Sequence, residues 1–207
     1  RPADLRRARK EELARLLEDQ LLVLDSLAGN DRLLVTGPAG CGKTFLALEA
    51  ARMESALGRR GLLVCYNHAI GEYLKGEVAG IDGLSVTTLH DLMLTAAGVA
   101  PVALDDRSFW EERLPQLAWE ALATADQPRY DYLIVDEVQD LCRRSYLDVL
   151  DLLLTSGLSN GRCLFFGDFD DQVLYDGSEK ALLDEVAGPL TVFRQKVNCR
   201  NTPGIAR

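Results

Sequence analysis

The sequence predicts an α/β fold in which a parallel sheet is flanked by helices. Three observations predict it. Short apolar runs of strand length alternate with helical periodicity along most of the 207 residues. The first of these runs passes through a glycine-rich loop straight into a helix. A later run, Tyr132-Leu133-Ile134-Val135, ends in the paired carboxylates Asp136 and Glu137. In an open parallel sheet, ligands lie beyond the carboxyl ends of the strands, so the loop and the acid pair are expected on one edge.

The elements follow in order. Leu13, Leu16, Leu17, Gln20, Leu21, Leu24 and Leu27 recur at three- and four-residue steps between charges, predicting a helix over 4–27. Gly29-Asn30-Asp31 is a turn, and Leu33-Leu34-Val35-Thr36 reads as a buried strand. After the glycine-rich loop a helix runs over 43–56. Strand 62–66 precedes helix 68–78, and strand 84–88 precedes helix 89–97. Residues 105–126 read as an acidic helix with Phe109, Trp110, Leu114, Leu117 and Leu122 on its apolar face. They form the core of a small helical insertion over about 98–128, with the loop near Gly98 as its entry. Strand 132–135, helix 146–154, strand 163–166 and strand 190–193 complete the pattern.

Composition sets bounds. The length suits one domain, and no run of about 18 apolar residues is present to span a membrane. The first residues, Arg1 to Arg7, lead into no apolar signal core. The five cysteines are odd in number and none shares CxxC spacing, which disfavours a zinc site or a disulfide framework and fits a reducing cytoplasm. The net charge of −9 argues against a generic nucleic-acid binder but leaves room for a local groove on a single strand. The basic pairs Arg6-Arg7, Arg59-Arg60 and Arg143-Arg144 read as solvated surface. Nothing in the sequence indicates an oligomer.

Gly37-Pro38-Ala39-Gly40-Cys41-Gly42-Lys43-Thr44 meets the pattern GxxxxGK[ST] in full. Ordinary residue frequencies give a chance match on the order of one in a hundred for a chain of this length. The strand before it and the helix after it supply the required context. Glycines let backbone N–H groups approach phosphate oxygens, and the helix turns its positive end toward the anion. Lys43 is then expected on the β- and γ-phosphates, and the Thr44 hydroxyl on Mg²⁺. Asp136 is expected near that cation. Glu137 is expected to orient and deprotonate the water that attacks the γ-phosphate. The chain therefore reads as a P-loop NTPase using a nucleoside triphosphate and Mg²⁺.

Asp136-Glu137-Val138-Gln139-Asp140 resembles the DExQD signature of UvrD-like superfamily 1 DNA helicases. Other segments are similar to that family's motifs along nearly the whole chain. Gln20, seventeen residues before Gly37, resembles the Gln that reads adenine. Tyr66-Asn67-His68 and Thr88-Leu89-His90 resemble motifs Ia and Ib, which line the path of single-stranded DNA. Gly167-Asp168 with Gln172 and Tyr175 resembles motif III. Asn198-Cys199-Arg200-Asn201-Thr202 with Ile205 resembles motif IV, whose Arg touches the γ-phosphate. The wording of motifs Ia and IV is similar to the branch often fused to nuclease-related domains.

The resemblance implies a first RecA-like domain of an ATP-driven motor on single-stranded nucleic acid, DNA before RNA. Gln172 and Arg200 would sense the γ-phosphate, and Asn67, Thr88 and His90 would meet the strand. Three residues, Phe169, Asp170 and Asp171, separate Asp168 from Gln172 where the family usually has two. The chain begins without Met and stops at Arg207, as expected of a piece lacking the family's second RecA-like domain. Such a piece is expected to bind Mg-ATP, to turn it over weakly and to leave duplexes wound. Plainer readings stay open for single residues: Asn67 and Thr88 as helix caps, His90 as a satisfied interior histidine, Gln20 as a surface side chain. For the whole, an ATP-dependent regulatory switch without translocation stays open. A small-molecule kinase is disfavoured because no acceptor-binding signature is present.

Overall fold

The computed structural model describes residues 24–25, 28–101, 106–125, 129–169 and 178–195. Among these residues six strands form one sheet: β1 (Arg32–Thr36), β2 (Gly61–Cys65), β3 (Leu84–Thr88), β4 (Tyr132–Asp136), β5 (Arg162–Gly167) and β6 (Thr191–Arg194). Their order is β3-β2-β4-β5-β1-β6, and every pairing is parallel. The sequence explains the order of burial. Interior β2 is apolar throughout, β4 is apolar up to its last residue, Asp136, and both are buried at every residue, as strands covered on both faces are. Edge strand β3, Leu-Ser-Val-Thr-Thr, is only partly buried.

Side chains alternate between two layers. Leu34, Leu62, Val64, Leu133, Val135 and Phe165 face one core. There they meet α3 (Leu89–Ala97), α4 (Leu114–Thr124), α5 (Arg144–Leu153) and α7 (Ser178–Ala187). Leu33, Val35, Leu63, Cys65, Ile134 and Phe166 face the other, against α1 (Lys43–Ala56) and α2 (His68–Glu77). Cys41, Cys65, Cys142 and Cys163 are buried, and no disulfide forms among the described residues.

Several expectations are adjusted. The helical stretch expected as an insertion enters as a π-helical turn, Phe109–Arg113, and continues as α4. It is a full member of the first layer, because Phe109, Leu114 and Ala118 are buried in the main core with Met93 and Leu150. The short helix α6 (Gly157–Asn160) and the helix α7 had no counterpart in the sequence reading. Of the helix expected over 4–27, only Leu24 and Asp25 are described through their structure, and Leu24 is buried against the second layer. The basic pairs are not merely solvated. Arg59 and Arg162 both engage the buried Glu54, Arg143 pairs with Glu111 at 2.9 Å, and Arg144 with Asp148 and Glu185 at 3.0 and 2.8 Å. The pair Arg6-Arg7 lies outside the described residues. No helix among the described residues is long and apolar enough to cross a membrane.

One buried contact locks β2, β4 and α1 together. Tyr132, fully buried, donates its hydroxyl hydrogen to Ala51 O at 3.1 Å and accepts from Ser55 Oγ at 2.7 Å. Its ring lies where a side chain on Gly61 would stand, so the strand must carry glycine there. Gly61→Ala is therefore expected to cost about 1–3 kcal/mol through overpacking. Combining it with Tyr132→Leu should recover part of that loss relative to the sum of the single effects. Urea midpoints of the four proteins check this, and a Gly61→Ala protein as stable as the parent would rule the overlap out.

Candidate active site

β1, β4, β5 and β6 end on the same edge of the sheet, as parallel strands must, and their ends carry the site. β1 runs into the glycine-rich loop. Gly40 and Gly42 have φ of 83° and 95°, left-handed values that glycine adopts without strain. Gly37 is required for a different reason: a Cβ there would stand 2.7 Å from Gln195 O and 3.0 Å from Cys41 Sγ. Gly42 is the N-cap of α1 and provides no side-chain acceptor. The first-turn N–H groups of the helix are thus left for an anion, where the helix dipole also favours one.

Lys43 is buried, and its Nζ donates to Gly37 O at 2.6 Å and Pro38 O at 3.3 Å. The ammonium is folded under the loop against carbonyl dipoles. Thr44 Oγ1 donates to Asp136 Oδ2 at 2.8 Å, joining residues 92 positions apart in sequence. Asp136 is fully buried, and its other oxygen, Oδ1, finds no hydrogen-bond partner among the described residues. Burial pushes this carboxyl up to about 6; the Thr44 bond opposes the rise, and the Glu137 charge adds to it. A buried acceptor without a donor is costly unless something else satisfies it. The donor set fits Mg²⁺, a hard cation that takes hydroxyl and carboxylate oxygens and keeps several waters. Among the described residues no cluster of three or more His, Cys, Asp or Glu side chains forms. A cation here would therefore rely on Thr44, Asp136, water and phosphate oxygens.

Glu137 follows directly, with φ 51° and ψ 48°, a left-handed conformation uncommon outside glycine. Its Oε2 accepts from Gln139 Nε2 at 2.9 Å, and Gln139 Oε1 accepts from the Asp168 backbone N–H at 3.0 Å. Gln139 stood in the sequence as part of a signature string, and its contact with Glu137 was not anticipated. Gln195 was missed altogether. It is 7% exposed at the end of β6, donates its N–H to Thr36 O at 2.7 Å and abuts Gly37. No sequence signal marked it, because an isolated Gln after an edge strand reads as surface.

Asn67 and Thr88 are helix caps. Asn67 Oδ1 accepts from Ala69 N and Ile70 N at 2.8 and 3.4 Å, and Thr88 Oγ1 accepts from Asp91 N at 3.1 Å. His90 is half-buried among the rings of Tyr66, Trp110 and Tyr146, with centroids 5.2–5.8 Å away. Tyr146 donates its one hydroxyl hydrogen to Trp110 O at 3.1 Å, so the 3.3 Å contact requires His90 Nε2 to carry a proton and donate. Burial holds the imidazole below its ordinary pKa, against a smaller opposing effect of Asp91. Tyr66 is 45% exposed and offers the open end of this aromatic group. Gln20, Gln172, Tyr175, Arg200 and the other residues of 196–207 lie outside the described residues.

Comparison with known proteins adds a family. A family model described as an AAA domain matches residues 20–178. No curated protein matches the chain. Among solved structures, Bacteroides Pif1 bound to single-stranded DNA is similar at 18% identity and a TM-score of 0.44, covering 91% of this chain and 42% of that one. Pif1 helicase from Candida albicans is similar at 19% identity and a TM-score of 0.49, covering 86% of this chain and 39% of that one. The chain thus spans about two fifths of the length of these two structures.

The buried carboxylate makes a stability prediction. Its native pKa of about 6 lies above the unfolded value of about 3.9. The ionisation penalty is thus absent below about pH 4, sets in as pH rises toward the native pKa and is complete above it. In EDTA, Asp136→Asn should stabilise the protein by on the order of 1–3 kcal/mol at pH 7.5, with a smaller gain at pH 5. Denaturant titrations at the two pH values measure both, and a loss of stability at pH 7.5 would contradict the account.

Proposed function

Because the chain belongs to the AAA domain family, matched over residues 20–178, we propose that it binds and hydrolyses Mg-ATP as the motor domain of a superfamily 1-type helicase or translocase on single-stranded DNA. The observation that carries the reading is the Thr44–Asp136 hydrogen bond of 2.8 Å, with Lys43 and Glu137 flanking it. It brings the phosphate loop and the acidic strand end into one site.

The residues divide the work. Lys43 leaves the carbonyls of Gly37 and Pro38 for the β- and γ-phosphate oxygens, trading weak dipoles for full charges. Backbone N–H groups of the loop, from Gly37 through Thr44, cradle the phosphates. Thr44 and Asp136 hold Mg²⁺, which when bound offsets the charge gathering on the phosphate oxygens. Glu137 takes a proton from the attacking water as its oxygen bonds to the γ-phosphorus. The bond to the β–γ bridging oxygen breaks, and ADP leaves with that electron pair. Gln20 reads the adenine edge, and Gln172 and Arg200 sense the γ-phosphate.

The nucleic-acid face lies at the ends of β2 and β3. Tyr66, exposed and backed by His90 and Trp110, is suited to stack on a base, which any sequence of single strand can supply. Asn67, Thr88 and His90 fix the backbone that presents it. A second RecA-like domain would form the other wall of the groove and close on the nucleotide, so that the presence of the γ-phosphate shifts the equilibrium between open and closed forms. A local groove of this kind is compatible with the net charge of −9.

Glu137→Gln should keep nucleotide affinity within about twofold and reduce turnover by about 10²- to 10⁴-fold. Tyr66→Ala should spare basal turnover and weaken its stimulation by oligo(dT). ATPase assays with and without oligo(dT), with a fluorescent nucleotide titration, read both. Parent-level turnover in Glu137→Gln would remove the assigned base, and parent-level stimulation in Tyr66→Ala would move the DNA path elsewhere.

A further inference from the structure

We propose that Gln139 is a positioning residue for the carboxylate of Glu137, tying it to the backbone at the end of β5; this rests on the reading of Glu137 as the base. The amide spans the gap with both of its ends. Oε1 accepts from the Asp168 N–H at 3.0 Å, and Nε2 donates to Glu137 Oε2 at 2.9 Å. The orientation of this amide is fixed by chemistry. A backbone N–H can only donate, so the oxygen must face Asp168 and the NH₂ must face the carboxylate.

The fold makes room for this bridge. The 3₁₀ turn Val138–Leu141 starts immediately after Glu137 and brings the two side chains, two positions apart, to one side. Gly167 lies beneath: a Cβ there would stand 2.7 Å from Gln139 Oε1 and 2.8 Å from Val138 Cγ1. The absence of a side chain at the end of β5 is what lets the amide lie across it. With Oε2 held, the carboxylate loses its free rotation, and a displacement of the strand end at Asp168 reaches the base through a single side chain. Misplacement of a catalytic group by about 1 Å is enough to cost on the order of 100-fold in rate.

The test uses the chain itself, in excess over labelled Mg-ATP so that slow single turnovers are read. Gln139→Met keeps length and removes both hydrogen bonds. It should slow hydrolysis by about 10- to 100-fold while affinity for a fluorescent ATP analogue stays within about twofold. Hydrogen exchange at the Asp168 amide should quicken. In a Glu137→Gln background, Gln139→Met should add no further loss, because both act through one carboxylate. Gln139→Glu retains an acceptor for Asp168, so it should restore protection of that amide without restoring turnover. Parent-level hydrolysis in Gln139→Met, with Glu137→Gln inactive, overturns the positioning role alone. Losses that multiply in the double variant overturn it too, since they mark a merely structural residue. Parent-level hydrolysis in Glu137→Gln overturns the reading of the base, and the proposal with it.

Discussion

The hydrogen bond from Thr44 to Asp136 joins the first turn of α1 to the last residue of β4. It exists because β1 and β4 are parallel and end on one edge, although β5 lies between them. The bond satisfies one oxygen of a fully buried carboxylate, and the other has no donor among the described residues. In a structural ion pair such an arrangement would be a defect. At the end of a strand, facing a helix terminus and a buried lysine, it is an acceptor that the proposed Mg²⁺ would complete, and binding of that ion would stabilise the fold by linkage.

Much of this was legible in the sequence, for reasons that differ by element. The strands were legible because parallel strands buried on both faces must be apolar throughout, and Tyr132 to Val135 could be little else. The loop was legible because phosphate binding imposes residue types at fixed spacing. Helix α7 was not, since Leu183 and Ala187 alone on its length are fully buried and so short a stripe carries little periodic signal. The stretch 105–126 was legible as helical from its apolar face, whereas its place was not: Phe109, Leu114 and Ala118 complete the first layer against residues distant in sequence. Gln139 and Gln195 show the limit more sharply: an amide's partners are set by strands distant in sequence, and periodicity is silent about them.

The aromatic group around His90 shows how a bland reading and a functional one can share the same atoms. Asn67 and Thr88 spend their side-chain acceptors on helix caps. That work fixes the directions in which α2 and α3 leave the sheet, and with them the position of Tyr66 between β2 and α2. His90 fills the space behind it, its protonation state limited by burial and its Nε2 hydrogen given to Tyr146. A neutral, packed histidine is a poor phosphate ligand but a rigid backing for an exposed ring. In the proposed stacking role rigid backing matters, because an unsupported side chain must lose its rotamer freedom on binding, at about 0.5–1.5 kcal/mol.

Glu137 carries the same logic into the backbone. A non-glycine residue with φ near +51° bears strain on the order of 1–2 kcal/mol, and glycine there would relieve it. Glycine would also remove the carboxylate. The strain is held by its surroundings: Asp136 is fixed by Thr44, Val138 is fully buried, and Gln139 grips both the Glu137 side chain and the end of β5. The residues on either side of Glu137 are thus held by α1, by the core and by the end of β5. The sharp turn out of β4 ends the strand at Asp136 and brings the Glu137 carboxylate onto the Gln139 amide. For the proposed base this means that the cost of ordering the side chain is met during folding and not at the moment of reaction.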